Sequence, residues 1–312
     1  MNNQIKYYWL ILGWALISTS ILGCLKERTE TPTKGNITVA VSEEVFPMVF
    51  QEKQKFESLY TNAHINLIST SAREAVTRLF NDTIKLIVLS RAMNSEEREV
   101  AKRFNLDIAE NKIALDGVAF LVNEKNPVKQ LRTTQLDSIY RGLITKWYGV
   151  GGLKNPIEIA LPDANSGNFE IVGVKVLKGE KYSAPAKLVS SSEEMLKFIS
   201  ENPNALGMVG LNWLSQKKEN VRVLELSDPN TPDSLGIKGQ YFAPFQAHVY
   251  RGYYPVTREI YIYSRIDMYS VGAGFISFIT SAPGQQIVLY NGLVPATMPI
   301  RLVELTNKGI KP

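Results

Sequence analysis

The sequence predicts an α/β protein built on a largely parallel sheet, and three observations carry that prediction. Short β-branched runs alternate with segments of helical period from residue 36 onward. Helix-start signals stand between them; the clearest is Ser71-Ala72-Arg73-Glu74, which has capping-box spacing. At 312 residues, with 45% hydrophobic and 21% charged side chains, the chain can bury a substantial core in one large or two mid-sized domains.

Taken in order, Asn36 to Val41 is the first strand. Pro47 stands in the first turn of a helix that runs to Tyr60, with Val49, Phe56 and Tyr60 near one face. Ile65 to Ile68 is the second strand. Behind the capping box, Ala75, Val76, Leu79 and Phe80 share a helical face. Leu86 to Leu89 is the third strand, and Ser95-Glu96-Glu97 opens a further helix. Ile113 to Val122 is a long apolar strand interrupted by Asp116-Gly117. A helix from Thr134 to Arg141 ends at Gly142, and a strand follows over 157–161. Phe169 to Leu177 is β-branched and, on its residues alone, reads as a strand. Ser191 to Glu194 opens a helix, Leu206 to Leu211 is a buried strand, and Tyr261 to Tyr263 is another. Helical patterns close the chain around 275–279 and 285–290, with Gly292 as a stop.

Composition excludes more than it identifies. The formal charge is +5, but bases and acids interleave along the chain, so no basic face for nucleic acid is expected. A single cysteine closes no internal disulfide and builds no Cys-rich zinc site. His64 and His248 read as ordinary surface or interface residues rather than metal ligands. There is no G-x-S-x-G, H-E-x-x-H or phosphate-loop motif. The chain is expected to be no enzyme, with no catalytic residue, no cofactor and no metal.

The N-terminus gives a sharper signal. Residues 1–23 carry one charged side chain, Lys6, followed by an apolar run over 7–23; the sequence turns polar at Lys26. A basic start, an apolar core and small residues at the boundary make a secretory signal. As a helix that run spans ~25 Å, short of a bilayer core of about 30 Å. Leu22-Gly23-Cys24 resembles a bacterial lipobox, in which cleavage precedes the cysteine and the thiol is acylated. An uncleaved single-span anchor is the other reading. Either way the remainder is expected outside the cytoplasm, in the cell envelope, tethered to a membrane, with 24–35 as the tether.

Nine further segments stand in a recognisable order. They are Val45-Phe46-Pro47, Ser90-Arg91, Leu115 to Asn123 with Asn126-Pro127-Val128, Ile139 to Trp147, Asn165-Ser166-Gly167, Ala205 to Gly210, Tyr254 to Tyr261, Ser281 to Gln286, and Gly292 to Pro295. Together they resemble the phosphate-binding-protein branch of the type II periplasmic solute-binding proteins, the receptors of ABC importers. The resemblance implies two α/β lobes, 36–115 with 260–312 and 116–259, joined by two crossover segments near Asp116–Phe120 and Pro255–Tyr261. A small oxyanion, phosphate or a relative, would bind in the cleft between them. An ABC permease would be the partner and the receptor a monomer. The family also has a helix after the Ser-Gly turn, where the residue pattern alone favours a strand. Asp116 is expected to be a hydrogen-bonding residue of the hinge, and the tyrosines at 250, 253, 254, 261 and 263 to be crossover packing.

A cleft for a tetrahedral oxyanion uses helix N-termini, whose free N–H groups and dipole face the anion, with hydroxyls and an Arg adding donors. By position the resemblance assigns the site to Glu43, Glu44, Ser69, Thr70, Ser71, Ser90, Arg91, Asn165, Ser166, Gly167 and Asn168. Three of these loops depart from the family pattern. The first is acidic where hydroxyls are usual, Ser90-Arg91 carries an Arg where an Asp is frequent, and Pro162-Asp163-Ala164 lacks the Arg that grips the anion. A carboxylate 4 Å from an anion costs ~4 kcal/mol at an effective dielectric near 20. Two arrangements reconcile this. In one, Arg91 pairs with Glu43 or Glu44 and the cleft suits a zwitterionic, weakly charged or absent ligand. In the other, the glutamates point away, and Arg91 with the Ser-Gly helix end still holds phosphate. Arg91 also reads, apart from any solute, as a surface or lobe-bracing ion pair. The functional alternative is a lipoprotein of receptor fold with a sensory or envelope-partner role.

Overall fold

The computed structural model describes residues 30–298 apart from Lys218, together with the backbone of two short strands at 304–306 and 309–311. The expected signal segment 1–23 and Cys24 lie outside the described residues. The first stretch runs β1 (Gly35–Ser42), α1 (Phe46–Leu59), β2 (Ala63–Thr70), α2 (Ala72–Phe80), β3 (Leu86–Leu89), α3 (Ser95–Arg103) and β4 (Ala109–Asn123). The second holds β5 (Gln130–Arg132), α4 (Thr133–Tyr140), β6 (Glu158–Leu161), α5 (Gly167–Lys175), β7 (Ala186–Leu188), α6 (Ser192–Glu201), β8 (Ala205–Gly210), β9 (Val221–Val223), β10 (Glu225–Ser227) and α7 (Gln246–Tyr250). The chain returns through β11 (Thr257–Ser264), α8 (Val271–Thr280), α9 (Ala282–Tyr290), β12 (Val294–Pro295) and the hairpin of β13 (Glu304–Thr306) with β14 (Gly309–Lys311).

The main sheet has the order β2-β1-β3-β11-β4-β8-β6-β7. It is mixed rather than largely parallel. β2, β1 and β3 run parallel, as do β8, β6 and β7, but β11 is antiparallel to both neighbours and β4 is antiparallel to β8. The reason is topological: the chain crosses outward in β4 and returns in β11, so the two central strands run in opposite directions. Within β4 the partner changes. Residues up to Gly117 pair with β11, and Val118 onward pairs with β8.

The stretch after Ser166 is a helix, as the resemblance implies, although its β-branched residues favour extension. Ser166 caps it, its hydroxyl accepting the Phe169 N–H at 3.2 Å. Tyr182 then stacks on Phe169 at 4.1 Å between ring centres and donates to its carbonyl. The described part of the 24–35 segment packs on the fold. Glu30 accepts the Val271 N–H at 3.4 Å, and at Gly274 a Cβ would meet the Pro32 carbonyl at 1.8 Å, so residues 30–34 already lie against the start of α8.

Where β4 changes partner, Asp116 sits in register with Arg258 of β11. Both side chains are fully buried. Arg258 donates from Nε and Nη2 to Asp116 Oδ2 at 2.9 and 2.7 Å. Asp116 Oδ1 accepts the N–H groups of Gly117 and Leu211 at 2.7 and 3.1 Å. Gly210 leaves room for the pair, since a Cβ there would lie 2.7 Å from Arg258 Nη2. Asp116 is thus the hydrogen-bonding residue expected at this break, and its partner is a residue the local pattern left unassigned.

A second buried acid has no such support. Glu52 on α1 is 0% exposed and neither carboxyl oxygen has a hydrogen-bond partner. Burial pushes its pKa up to about 9, so the folded state holds it neutral at pH 7.

Two outcomes are expected. Arg258→Met strands the Asp116 charge and should cost ~3–5 kcal/mol in urea unfolding, while the double variant with Asp116→Leu should recover part of that loss. For Glu52 the folded pKa lies above the unfolded value. Its contribution therefore falls as pH rises from about 4.5 to about 9. Glu52→Met should gain on the wild type by on the order of 1–3 kcal/mol at pH 8. The gap, followed by melting from pH 5 to 9, should widen with pH.

Candidate functional site

The starts of α2, α5 and α6 and the turn after β1 converge on a cavity of about 410 Å³. Of the residues expected in the site, Glu43, Glu44, Ser69, Thr70, Ser71, Asn165, Ser166 and Asn168 line it. Ser90, Arg91 and Gly167 do not. Glu74, Asp163 and the Ser190-Ser191-Ser192 run join the lining, and no Lys or Arg is in it.

Each helix start is capped from within. Ser71 caps α2 by accepting the Glu74 N–H at 3.3 Å, and Thr70 donates its hydroxyl to the Glu74 carboxylate at 2.7 Å. Ser166 caps α5 as described. Ser191 caps α6 by accepting the Glu194 N–H at 3.1 Å. These caps serve only part of the free N–H groups at each end.

One further N–H at the start of α5 and one at the start of α6 go to the acidic turn. Residues Glu43 to Val45 form one 3-10 turn, and the two glutamates leave it in different directions. Glu43 Oε1 accepts the Ser192 N–H at 2.8 Å and its Oε2 accepts the Ser192 hydroxyl at 2.9 Å, at the start of α6. Glu44 Oε1 accepts the Asn168 N–H at 3.3 Å at the start of α5, and its Oε2 accepts the Ser90 hydroxyl at 3.1 Å. The backbone of the turn is held as well: Trp213 Nε1 donates to the Glu43 carbonyl at 3.3 Å and Asn212 Nδ2 to the Glu44 carbonyl at 2.6 Å. Burial, with the neighbouring Glu44 charge, raises the Glu43 pKa to about 7 against the lowering effect of Ser192 and Arg258.

Arg91 pairs with neither Glu43 nor Glu44 and makes a bracing ion pair instead. The guanidinium is buried and makes a two-pronged pair with Glu97 of α3, both bonds at 2.7 Å. It also touches Glu170 of α5. Arg91 therefore ties α3 to α5 instead of facing Glu43, Glu44 or a solute. Ser90 lies behind Glu44, and Gly167 is needed for contact with it: a Cβ at Gly167 would meet Ser90 Oγ at 2.0 Å. The cation beneath the cleft is Arg258, whose Nη1 donates to Asn168 Oδ1 at 2.6 Å. A lone Arg in an apolar strand was the available sign of it. Ser192 was legible as a helix start but not as a partner of Glu43, because nothing local links residues so far apart.

The arrangement is a polar cleft with three helix N-termini, hydroxyls and carboxylates, suited to binding. Among the described residues no group of three His, Cys, Asp or Glu could hold a metal ion, and no helix is long and apolar enough to cross a membrane.

Several proteins similar to this chain are named as phosphate receptors. The chain is 22% identical over 289 residues to the phosphate-binding protein PstS of Staphylococcus epidermidis, covering 87% of this chain and 86% of the relative. Among solved structures, a putative phosphate ABC transporter substrate-binding protein with bound phosphate from Clostridium perfringens superposes with a TM-score of 0.71 at 21% identity, covering 84% of this chain and 100% of that one. An ABC-type phosphate transport receptor from Vibrio cholerae gives 0.64 at 21% identity, with the same coverages. The sheet and crossover strands match the type II periplasmic binding fold of these structures. A family model described as the PBP superfamily domain matches residues 26–283, and the chain belongs to that superfamily as a PstS-like periplasmic binding protein.

Proposed function

We propose that this protein is an extracytoplasmic solute-binding receptor, lipid-anchored through Cys24, that takes a small solute in the cleft and hands it to an ABC permease. The two lobes would be 36–115 with 260–312 and 116–259, the crossovers being β4 and β11. The relatives support the receptor role, and the partner change within β4 supports the lobe division. The observation that carries the reading is the cavity at three helix N-termini. The family solute, a phosphate-like oxyanion, meets carboxylates here, so affinity for free phosphate is expected to fall well below that of a phosphate receptor. A sensory or envelope-partner role is the second reading, favoured by the cross-cleft bonds that the chain supplies from its own side chains.

A thermal-shift panel on the full-length protein in detergent, with phosphate, sulfate, other oxyanions and amino acids, tests the receptor reading. A solute at 100 times its Kd should stabilise the fold by ~2.7 kcal/mol. Phosphate should give little shift. A panel with no stabilising solute would favour the sensory reading. Separately, Cys24→Ala should abolish lipid labelling and release or misprocess the protein, read by membrane fractionation. Recovery of intact residues 1–23 on membrane-extracted wild type would argue against cleavage.

A further inference from the structure

We infer that Glu43 and Glu44 are resident anions of this cleft: specificity-determining side chains that occupy the helix N-termini where a solute anion would bind. The inference rests on the receptor reading and deepens it by naming the solute class. Glu44 takes a backbone N–H of α5 and the Ser90 hydroxyl, one donor from either side of the cleft. Glu43 takes a backbone N–H and a hydroxyl at Ser192. A helix N–H with an adjacent hydroxyl is the donor set that oxyanion sites use. In this chain both sets are already satisfied by covalently attached carboxylates.

The placement has the marks of a built feature. Glu44 is 2% exposed, so its carboxylate is not a solvated turn charge that happens to lie nearby. Its carbonyl is fixed by Asn212, and the Glu43 carbonyl by Trp213, which pins the turn. Asn168 offers its N–H to Glu44 while its side-chain oxygen accepts from Arg258. The buried guanidinium of Arg258 is thereby committed to Asp116 and Asn168, and that of Arg91 to Glu97 and Glu170, with no lining Lys or Arg to receive a second anion. An incoming oxyanion would have to displace a carboxylate from its donors and then sit beside it. The solute class that fits is donor-rich and carries no net negative charge, bonding to the lining hydroxyls and carboxylate oxygens.

The test is calorimetric titration of inorganic phosphate into full-length wild type, Glu43→Ala/Glu44→Ala and Glu44→Gln. The double variant bares the Asn168 and Ser192 N–H groups and should bind phosphate at least ~10-fold more tightly than wild type. Glu44→Gln keeps the side-chain volume, guards against a cavity artefact and should show a smaller gain. Amide hydrogen exchange supplies a second readout. Protection at Asn168 and Ser192, present in wild type, should fall in the double variant and return on adding phosphate; a merely structural role of the glutamates would give no phosphate-dependent return. Folded variants with phosphate affinity equal to or below that of wild type would overturn the inference. So would tight phosphate binding by wild type that the substitutions weaken. These results leave the receptor reading standing, because that reading is decided by whether any solute stabilises the wild type.

Discussion

The buried pair between Asp116 and Arg258 is the constraint on which the rest of the molecule is arranged. Removing both charges from water is costly, and the attraction offsets that cost only when the geometry is good and the remaining lone pairs are used. Here they are used. One carboxylate oxygen takes two Arg258 donors, the other takes two backbone N–H groups, and the third Arg258 branch reaches Asn168. The pair joins the two crossover strands at the point where β4 leaves β11 for β8. Through Asn168 it also fixes the start of α5. A single ion pair thus links the two strands and reaches the cleft lining through Asn168, and the close approach of Arg258 is why a glycine is required at 210.

Within the cleft the governing quantity is the supply of acceptors for helix N–H groups. Three helix starts converge, each with a positive dipole end and free donors. Hydroxyl caps at Ser71, Ser166 and Ser191 serve one donor each. The turn at Glu43-Glu44 serves two more from the opposite side of the cleft. A charged acceptor at a helix start makes a shorter and stronger bond than a neutral one, though the 3.3 Å contact at Asn168 is long by that standard. Burial works the other way and, with the like charge of the neighbouring glutamate, moves Glu43 toward neutrality at pH 7.

Local chemistry was legible in the sequence where it acts within a few residues. The Ser71 cap and the β-branched runs at 36–41 and 86–89 fold as their patterns predict, although Glu74 turns its carboxylate to Thr70 and Arg78 and so does not complete the capping box. The run after Ser166 shows the limit: β-branched composition argues for a strand, yet the segment is a helix, capped by Ser166 and packed through Phe169 against Tyr182. Arg91 shows another. Its main partner, Glu97, is only six residues away, yet the pair depends on a turn that carries no period. The acidic turn was visible as unusual, but its partners at 168 and 192 lie over a hundred residues on and belong to helices whose packing decides the contact. Arg258 was visible only as a charge in an apolar strand.

The divergence of two adjacent glutamates follows from the turn that holds them. A 3-10 turn has about three residues per revolution, so neighbouring side chains leave it roughly 120° apart. An extended segment would send them to opposite faces of the strand, and one would be lost to the core. Only the tight turn after β1 directs one carboxylate to α6 and the next to α5. In a conventional account of such a cleft, the solute supplies the charge that joins the two sides. Here the joining charge is part of the chain, delivered by backbone geometry. What the cleft can accept is accordingly set less by which residues line it than by which helix donors the turn leaves unused.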